Sequence, residues 1–262
     1  MAAPASPPLL EMQDVHLAFD EEEVLSGIDL HLAPRERLIV FGVSGGGKST
    51  LLRLILGILK PNRGSLQFKG QEIPRMGRRQ LNKTRQEMGM VYQSGALVSS
   101  LNVRDNLALP LEELTDKPRQ EIDDIVMEKL GLVGMEDARD KMPAELSGGM
   151  RKRVALARGI IMDPELILYD EPTTGLDPVT GTLIDRLIIS LSKKIDATSI
   201  VVTHDVASAF RVATRMAMIY KGRIIADDTP EAFKKHPDPV VAQFISGNPH
   251  GPLMEGLPEE LV

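Results

Sequence analysis

The chain has 262 residues, 42% of them hydrophobic and 26% charged, with a formal net charge of −6 at neutral pH. That length suits one large domain or two small lobes, and the acidic balance argues against general nucleic-acid binding, which draws on a basic face. With no cysteine, disulfides, thiol catalysis and thiolate metal sites are excluded.

No apolar run nears the ~18 residues that span a bilayer, and residues 1–8 lack the basic start and apolar stretch of a secretory signal. Work at a membrane then requires a partner to hold the chain there. Alternation over residues 10–20 and 24–32 predicts two antiparallel strands joined by the acidic turn Glu21, Glu22 and Glu23. The apolar run 37–41 stops at Gly42, the pattern of a buried parallel strand. Helical spacing follows over 49–59 and closes at Lys60, Pro61, Asn62, Arg63 and Gly64. Residues 65–69 predict another strand. Arg75, Arg78, Arg79, Lys83 and Arg85 cluster, and a solvated helix face is preferred there over a local basic patch.

A short strand is expected at 90–92. From about 93 to 160, helical periodicity over 119–130 and 148–160, without a convincing strand between, predicts an inserted helical lobe. Strand and helix then alternate again: a strand at 166–169, a helix over 180–194, a strand at 199–203 and a helix from Asp205. A hairpin at 216–226 turns on Lys221 and Gly222, and Thr229 and Pro230 open a last short helix. Residues 247–262 read either as a frayed end or as a tail docking Leu253, Met254, Leu257 and Leu261 on a neighbour.

Gly42, Val43, Ser44, Gly45, Gly46, Gly47, Lys48 and Ser49 fit the phosphate-binding pattern G-x-x-x-x-G-K-S, with the required strand before and helix after. Glycines let successive N–H groups turn inward at phosphates, and the helix adds its positive end. Lys48 is expected to reach the β- and γ-phosphates of ATP, Ser49 to ligate Mg²⁺ and Thr50 to support the α-phosphate side. The strand at 166–169 runs into Asp170 and Glu171. Asp170 is expected near Mg²⁺, and Glu171 to polarise an attacking water. The alternative for this acidic pair is a solvated turn. His204 leaves a strand on the same sheet edge and is assigned to sensing the γ-phosphate. By the same geometry Gln93 would ligand Mg²⁺ or water, although alone it carries no weight.

These residues resemble the ATP-binding cassette (ABC) ATPases over nearly the whole chain. Residues 42–50 look like Walker A, Gln93 the Q-loop, Leu146, Ser147, Gly148, Gly149 and Met150 the signature motif, residues 166–170 Walker B, Gly175, Leu176 and Asp177 the D-loop, and His204 the H-loop. The resemblance implies an α/β fold: a P-loop NTPase (RecA-like) core with an antiparallel β subdomain and an inserted helical subdomain. The ATPase domain would occupy 9–246, with the helical part at about 94–160. It also implies a head-to-tail dimer of two copies sandwiching two ATP molecules, each site completed in trans by Ser147, Gly148, Gly149 and Asp177. Phe19 stands where the family stacks an aromatic ring on adenine; the alternative is a core phenylalanine.

The family commonly has glutamine after the signature glycines, whereas this chain has Met150 followed by Arg151, Lys152 and Arg153. Together with residues 92–103, that departure is similar to the ATPases of Mla-type lipid transporters, which associate with MCE-domain proteins. The implied function is ATP hydrolysis driving phospholipid transport between inner and outer membranes. The chain would sit peripherally on the cytoplasmic face of a bacterial inner membrane, bound to permease subunits, an MCE-domain protein and a small cytoplasmic regulatory subunit. The same motor on an amino-acid or osmolyte importer, or a soluble non-transport scaffold, are the competing expectations.

Overall fold

The computed structural model describes residues 7–254. Two sheets organise it. A four-stranded antiparallel sheet runs in the order β2-β1-β4-β5, from β1 (Leu10–Phe19), β2 (Glu22–Leu32), β4 (Arg63–Phe68) and the short β5 (Gln71–Glu72). The second sheet has six strands in the order β10-β9-β3-β8-β7-β6. They are β3 (Arg37–Phe41), β6 (Met88–Val91), β7 (Leu166–Asp170), β8 (Thr198–Thr203), β9 (Arg215–Tyr220) and β10 (Arg223–Asp228). Its strands pair in parallel except at the β9–β10 hairpin.

The central strands β3, β7 and β8 carry runs of consecutive apolar residues, Leu38–Phe41, Leu166–Tyr169 and Ile200–Val202, because both faces are covered. On β3, Ile39 and Phe41 join one core while Leu38 and Val40 join the other. The second core packs α1 (Lys48–Ile55) and the antiparallel sheet against one face. The first packs the remaining large helices against the opposite face: α3 (Val103–Leu114), α4 (Arg119–Val133), α5 (Gly148–Gly159), α6 (Pro178–Lys194) and α7 (Val206–Val212), with the short α8 (Pro230–Phe233) and α9 (Pro239–Ser246). The helical segment thus shares its apolar core with the sheet.

Helix α5 meets the edge strand β6 most closely where its last residue, Gly159, lies on Gly89. A Cβ on Gly89 would stand 2.0 Å from the Gly159 carbonyl oxygen, and one on Gly159 would stand 2.6 Å from Val91.

Several elements differ from expectation. Helix α1 stops at Ile55 rather than at 59, because Gly57 takes φ 63° just beyond it. Helix α6 starts two residues early, since the Asp177 carboxylate caps the N–H groups of Val179 and Thr180, both at 3.0 Å. Helix α3 escapes the periodicity reading because Pro110 sits inside it, a residue that ordinarily breaks helices. The expected solvated face is borne by α2 (Arg78–Gln86), whose Arg78, Arg79 and Lys83 are exposed.

Candidate active site

Four adjacent parallel strands deliver the expected chemistry to one edge of the sheet. Residues 42–47 leave β3, His204 leaves β8, Asp170 and Glu171 end β7, and Gln93 follows β6. The register sets Phe41 beside Thr203, Val202 beside Asp170, and Tyr169 beside Val91. The four departures therefore stand in a row at roughly 5 Å spacings. This edge, beyond the carboxyl ends of the strands, is where open α/β sheets take ligands.

The loop from Gly42 to Gly47 is shaped by contact with its neighbours. Gly42 has φ 149°, and a Cβ there would stand 2.1 Å from the Ile219 carbonyl oxygen of β9. Only glycine permits so close an approach. Val43, Ser44, Gly45 and Gly46 form the arch, in which the Gly46 N–H donates to the Val43 carbonyl at 3.2 Å. Gly47 then caps α1 and lies against Leu25 and the Val24 carbonyl of β2.

Lys48, Ser49 and Thr50 form the first turn of α1. The Lys48 side chain folds back and donates to the Gly42 and Val43 carbonyls, both at 2.9 Å. Burial pulls this amine below the ordinary lysine value, while Glu171 and Asp170 pull it back up. A buried ammonium beside a helix N-terminus and an arch of glycine N–H groups suits a polyphosphate. Phe19 ends β1 opposite Glu22 and is 47% exposed, which removes the core-residue alternative for it.

The Ser49 hydroxyl donates to an Asp170 carboxylate oxygen at 3.0 Å. Burial raises the Asp170 carboxyl above its usual range and the Glu171 charge adds to this, against the hydrogen bond from Ser49. Hydroxyl and carboxylate oxygens are the hard donors Mg²⁺ prefers. No group of three or more His, Cys, Asp or Glu side chains among the described residues is arranged to hold a metal. The Ser49 hydroxyl and the Asp170 carboxylate fit a Mg²⁺ ion, with phosphate and water open to complete its coordination.

Glu171 is half-buried and heavily constrained. His204 Nδ1 lies 2.9 Å from its carboxylate, and the Thr174 and Thr203 hydroxyls donate to it at 3.0 and 3.4 Å. The sequence assigns no site role to the two threonines, nor to Lys152, whose ammonium donates to the Gln93 and Glu171 carbonyls. A signal for Lys152 was present: with Ala155, Leu156 and Gly159 it falls on the buried stripe of α5 at helical spacing.

Ser147, Gly148, Gly149 and Asp177 form a cluster of their own. Ser147 caps α5 by accepting from the Met150 N–H at 3.3 Å, Gly148 faces Leu176, and Gly149 faces Thr180 on α6. Asp177, the cap of α6, has its carboxyl held below the usual range by hydrogen bonds from Thr180. No hydrogen bond among the described residues joins 147–149 to the loop at 42–50.

Between β6 and the helices runs a groove of about 470 Å³. Tyr92, Leu109 and Leu114, all exposed, help line it, with Asn82, Arg85 and Arg158. No helix among the described residues is long and apolar enough to cross a membrane.

A family model described as ABC transporter matches residues 25–174. The chain is 40% identical over 245 residues, 94% of its own length and 91% of the relative's, to the intermembrane phospholipid transport system ATP-binding protein MlaF of Escherichia coli (strain K12). It is 39% identical over 251 residues, 96% of this chain and 72% of the relative, to a probable ribonucleotide transport ATP-binding protein, mkl, of Mycobacterium leprae (strain TN). Among solved structures, cbiO1 from Clostridium perfringens, part of the ABC transporter complex cbiONQ, superposes with a TM-score of 0.82 at 29% identity, covering 88% of this chain and 92% of that one. The ATP-binding cassette MJ0796, a dimer in a post-hydrolysis state bound to ADP and Pi, gives a TM-score of 0.76 at 29% identity, covering 84% and 98%.

Proposed function

Because the chain belongs to the ABC transporter family and is an ABC-type ATPase, the ATP-binding subunit of a transporter, we propose that it powers phospholipid movement between inner and outer membranes through a membrane permease. The observation that carries the lipid reading is the 40% identity to MlaF across 91% of that relative. It agrees with the resemblance of residues 92–103 and of the segment from Ser147 to Val154 to Mla-type ATPases. The near-equal identity to mkl favours a second reading, the same motor on a ribonucleotide transporter.

In this mechanism the N–H groups of residues 43–48 and the Lys48 ammonium hold the β- and γ-phosphates of ATP. Phe19 stacks on adenine and Thr50 supports the α-phosphate. Ser49, with Asp170 and Gln93, would hold Mg²⁺, which when bound would neutralise charge on the phosphates. Glu171 takes the proton of the attacking water, and His204 orients that carboxylate from 2.9 Å while facing the γ-phosphate. Ser147, Gly148, Gly149 and Asp177 serve the site of a second copy in a head-to-tail dimer, and the similar MJ0796 cassette is itself dimeric. Their clustering apart from residues 42–50 supports that reading.

The groove beside Tyr92 is the proposed docking place of the permease, with residues 94–160 the subdomain that carries motion to it. An MCE-domain protein and a small regulatory subunit complete the assembly on the cytoplasmic face of the inner membrane. The tail, 247–262, is the proposed docking segment for a neighbour. Residues up to Met254 fold back on α9, where the Gln243 side chain donates to the Asn248 carbonyl at 3.0 Å and accepts from the Leu253 N–H at 2.7 Å. Leu257 and Leu261 lie outside the described residues. Deletion after Ser246 should weaken complex assembly or dimer stability; unchanged behaviour on size exclusion would favour the frayed end.

The deciding experiment is purification of the intact complex from native membranes in mild detergent. Recovery of a permease with an MCE-domain protein and phospholipid is the expected result. Recovery with a binding protein for a ribonucleotide, amino acid or osmolyte overturns the lipid reading.

A further inference from the structure

Lys152 lies one turn into α5 from Ser147 and is 7% exposed. Its ammonium donates to the Gln93 carbonyl and, at 3.4 Å, to the Glu171 carbonyl. Two loops leaving adjacent strands thus meet on one side chain. Further along the helix, Arg158 donates to the carbonyls of Gly95 at 2.9 Å and Ala96 at 2.7 Å. Between them the two cations hold three carbonyls of the segment that follows β6.

The backbone of Glu171 shows why such a tie matters. Its φ is 49°, in the left-handed region that a glutamate enters only at a cost. The Glu171 N–H donates to the Val202 carbonyl at 2.9 Å, and its carbonyl faces Lys152. The unusual backbone conformation is therefore held from both sides.

Packing alone does not explain a cation here. A methionine of similar reach would fill the space without the cost of desolvating a charge. Burial pushes the Lys152 amine down, against the pull of Glu171 and Asp170. Its hydrogen bonds go to main-chain oxygens, and it takes no part in the ion pairs among the described residues.

We propose that Lys152 is a positioning residue for ATP hydrolysis, tying the helix that opens with Ser147, Gly148 and Gly149 to the Gln93 loop and to the Glu171 peptide. It rests on the reading of Glu171 as the base and of the signature glycines as the partner's nucleotide contacts. Engagement of those glycines would then bear directly on the glutamate of the same chain.

The test compares Lys152→Met, Lys152→Gln and Lys152→Arg in the full chain, by steady-state hydrolysis, ATP calorimetry and thermal melting. Lys152→Met should lower kcat about tenfold or more with ATP affinity within about threefold, and Lys152→Arg should recover most of the rate. The melting temperature of Lys152→Met should equal or exceed wild type, since a charge desolvated on folding has been removed. A kcat within about twofold of wild type overturns the proposal. So does a loss of rate matched by equal losses of affinity and melting temperature. Should Lys152→Met fail to fold, the other two variants decide: a rate for Lys152→Gln well below that for Lys152→Arg supports the role, and equal rates overturn it. Glu171→Gln separates the two levels. Absence of an ATP-held dimer in that variant overturns the underlying reading, whereas a dimer there with wild-type kcat in Lys152→Met overturns the Lys152 assignment alone.

Discussion

The molecule treats its buried cations in two opposite ways. In the helical region, Arg104 is surrounded by carboxylates: Asp123 at 2.7 Å, Glu112 at 2.9 Å and Asp105 at 3.0 Å. Burial opposes its charge, yet the three hydrogen bonds win and its pKa moves up. At the sheet edge, Lys48 and Lys152 have only backbone carbonyls as hydrogen-bond partners, and burial wins, so both amines move down. Charge paired with three carboxylates at Arg104 holds α3 against α4. Charge left short of counter-ions at the strand ends costs stability in the free chain and is free to spend its field on phosphate.

Substitutions should expose that contrast in order of size. Glu171→Gln should lower kcat about a thousandfold while leaving ATP bound and the dimer closed, measured by hydrolysis assay and size exclusion with ATP. A wild-type rate would remove Glu171 from the role of base. Lys48→Ala should weaken ATP binding about a hundredfold by calorimetry, with a melting temperature no lower than wild type. The reverse is expected for Arg104→Met, where loss of about 2 kcal/mol in denaturant should accompany unchanged ATP affinity. Equal behaviour of these last two variants would erase the distinction between the clusters.

The smallest effect concerns Asp170. Its pKa is raised in the fold, so its share of stability is fully present below the ordinary aspartate value and is lost as pH rises through the raised one. Asp170→Asn should therefore stabilise the nucleotide-free chain at pH 7, measured by denaturant unfolding, and by less at pH 4. A larger gain at pH 4 would contradict the sign of that shift.

Much of this was legible in the residues because the chemistry lies at strand ends that periodicity marks. The run closing at Phe41, the run closing at Asp170 and the strand before His204 each announced both an element and a reactive group. What stayed hidden depends on contacts across the chain. Lys152 looked like one of three basic residues after Met150, and only the packing of α5 against the loops after β6 and β7 sets it apart. Thr174 and Thr203 hold Glu171 from separate elements, a convergence that no local pattern encodes. Helix α3 was obscured by Pro110, and α9 by its brevity and its place just before a Gly/Pro-rich stretch.

The bare contact between Gly89 and Gly159 has a mechanical consequence. With the Gly159 carbonyl set directly against Gly89, the C-terminal end of α5 would serve as a pivot. The helix is 12 residues long, a rod of roughly 18 Å, so a tilt of about 10° about that pivot would swing Ser147 by about 3 Å. Gln93 and Glu171 are fastened part of the way along the rod, and would travel in fixed proportion to whatever grips its far end.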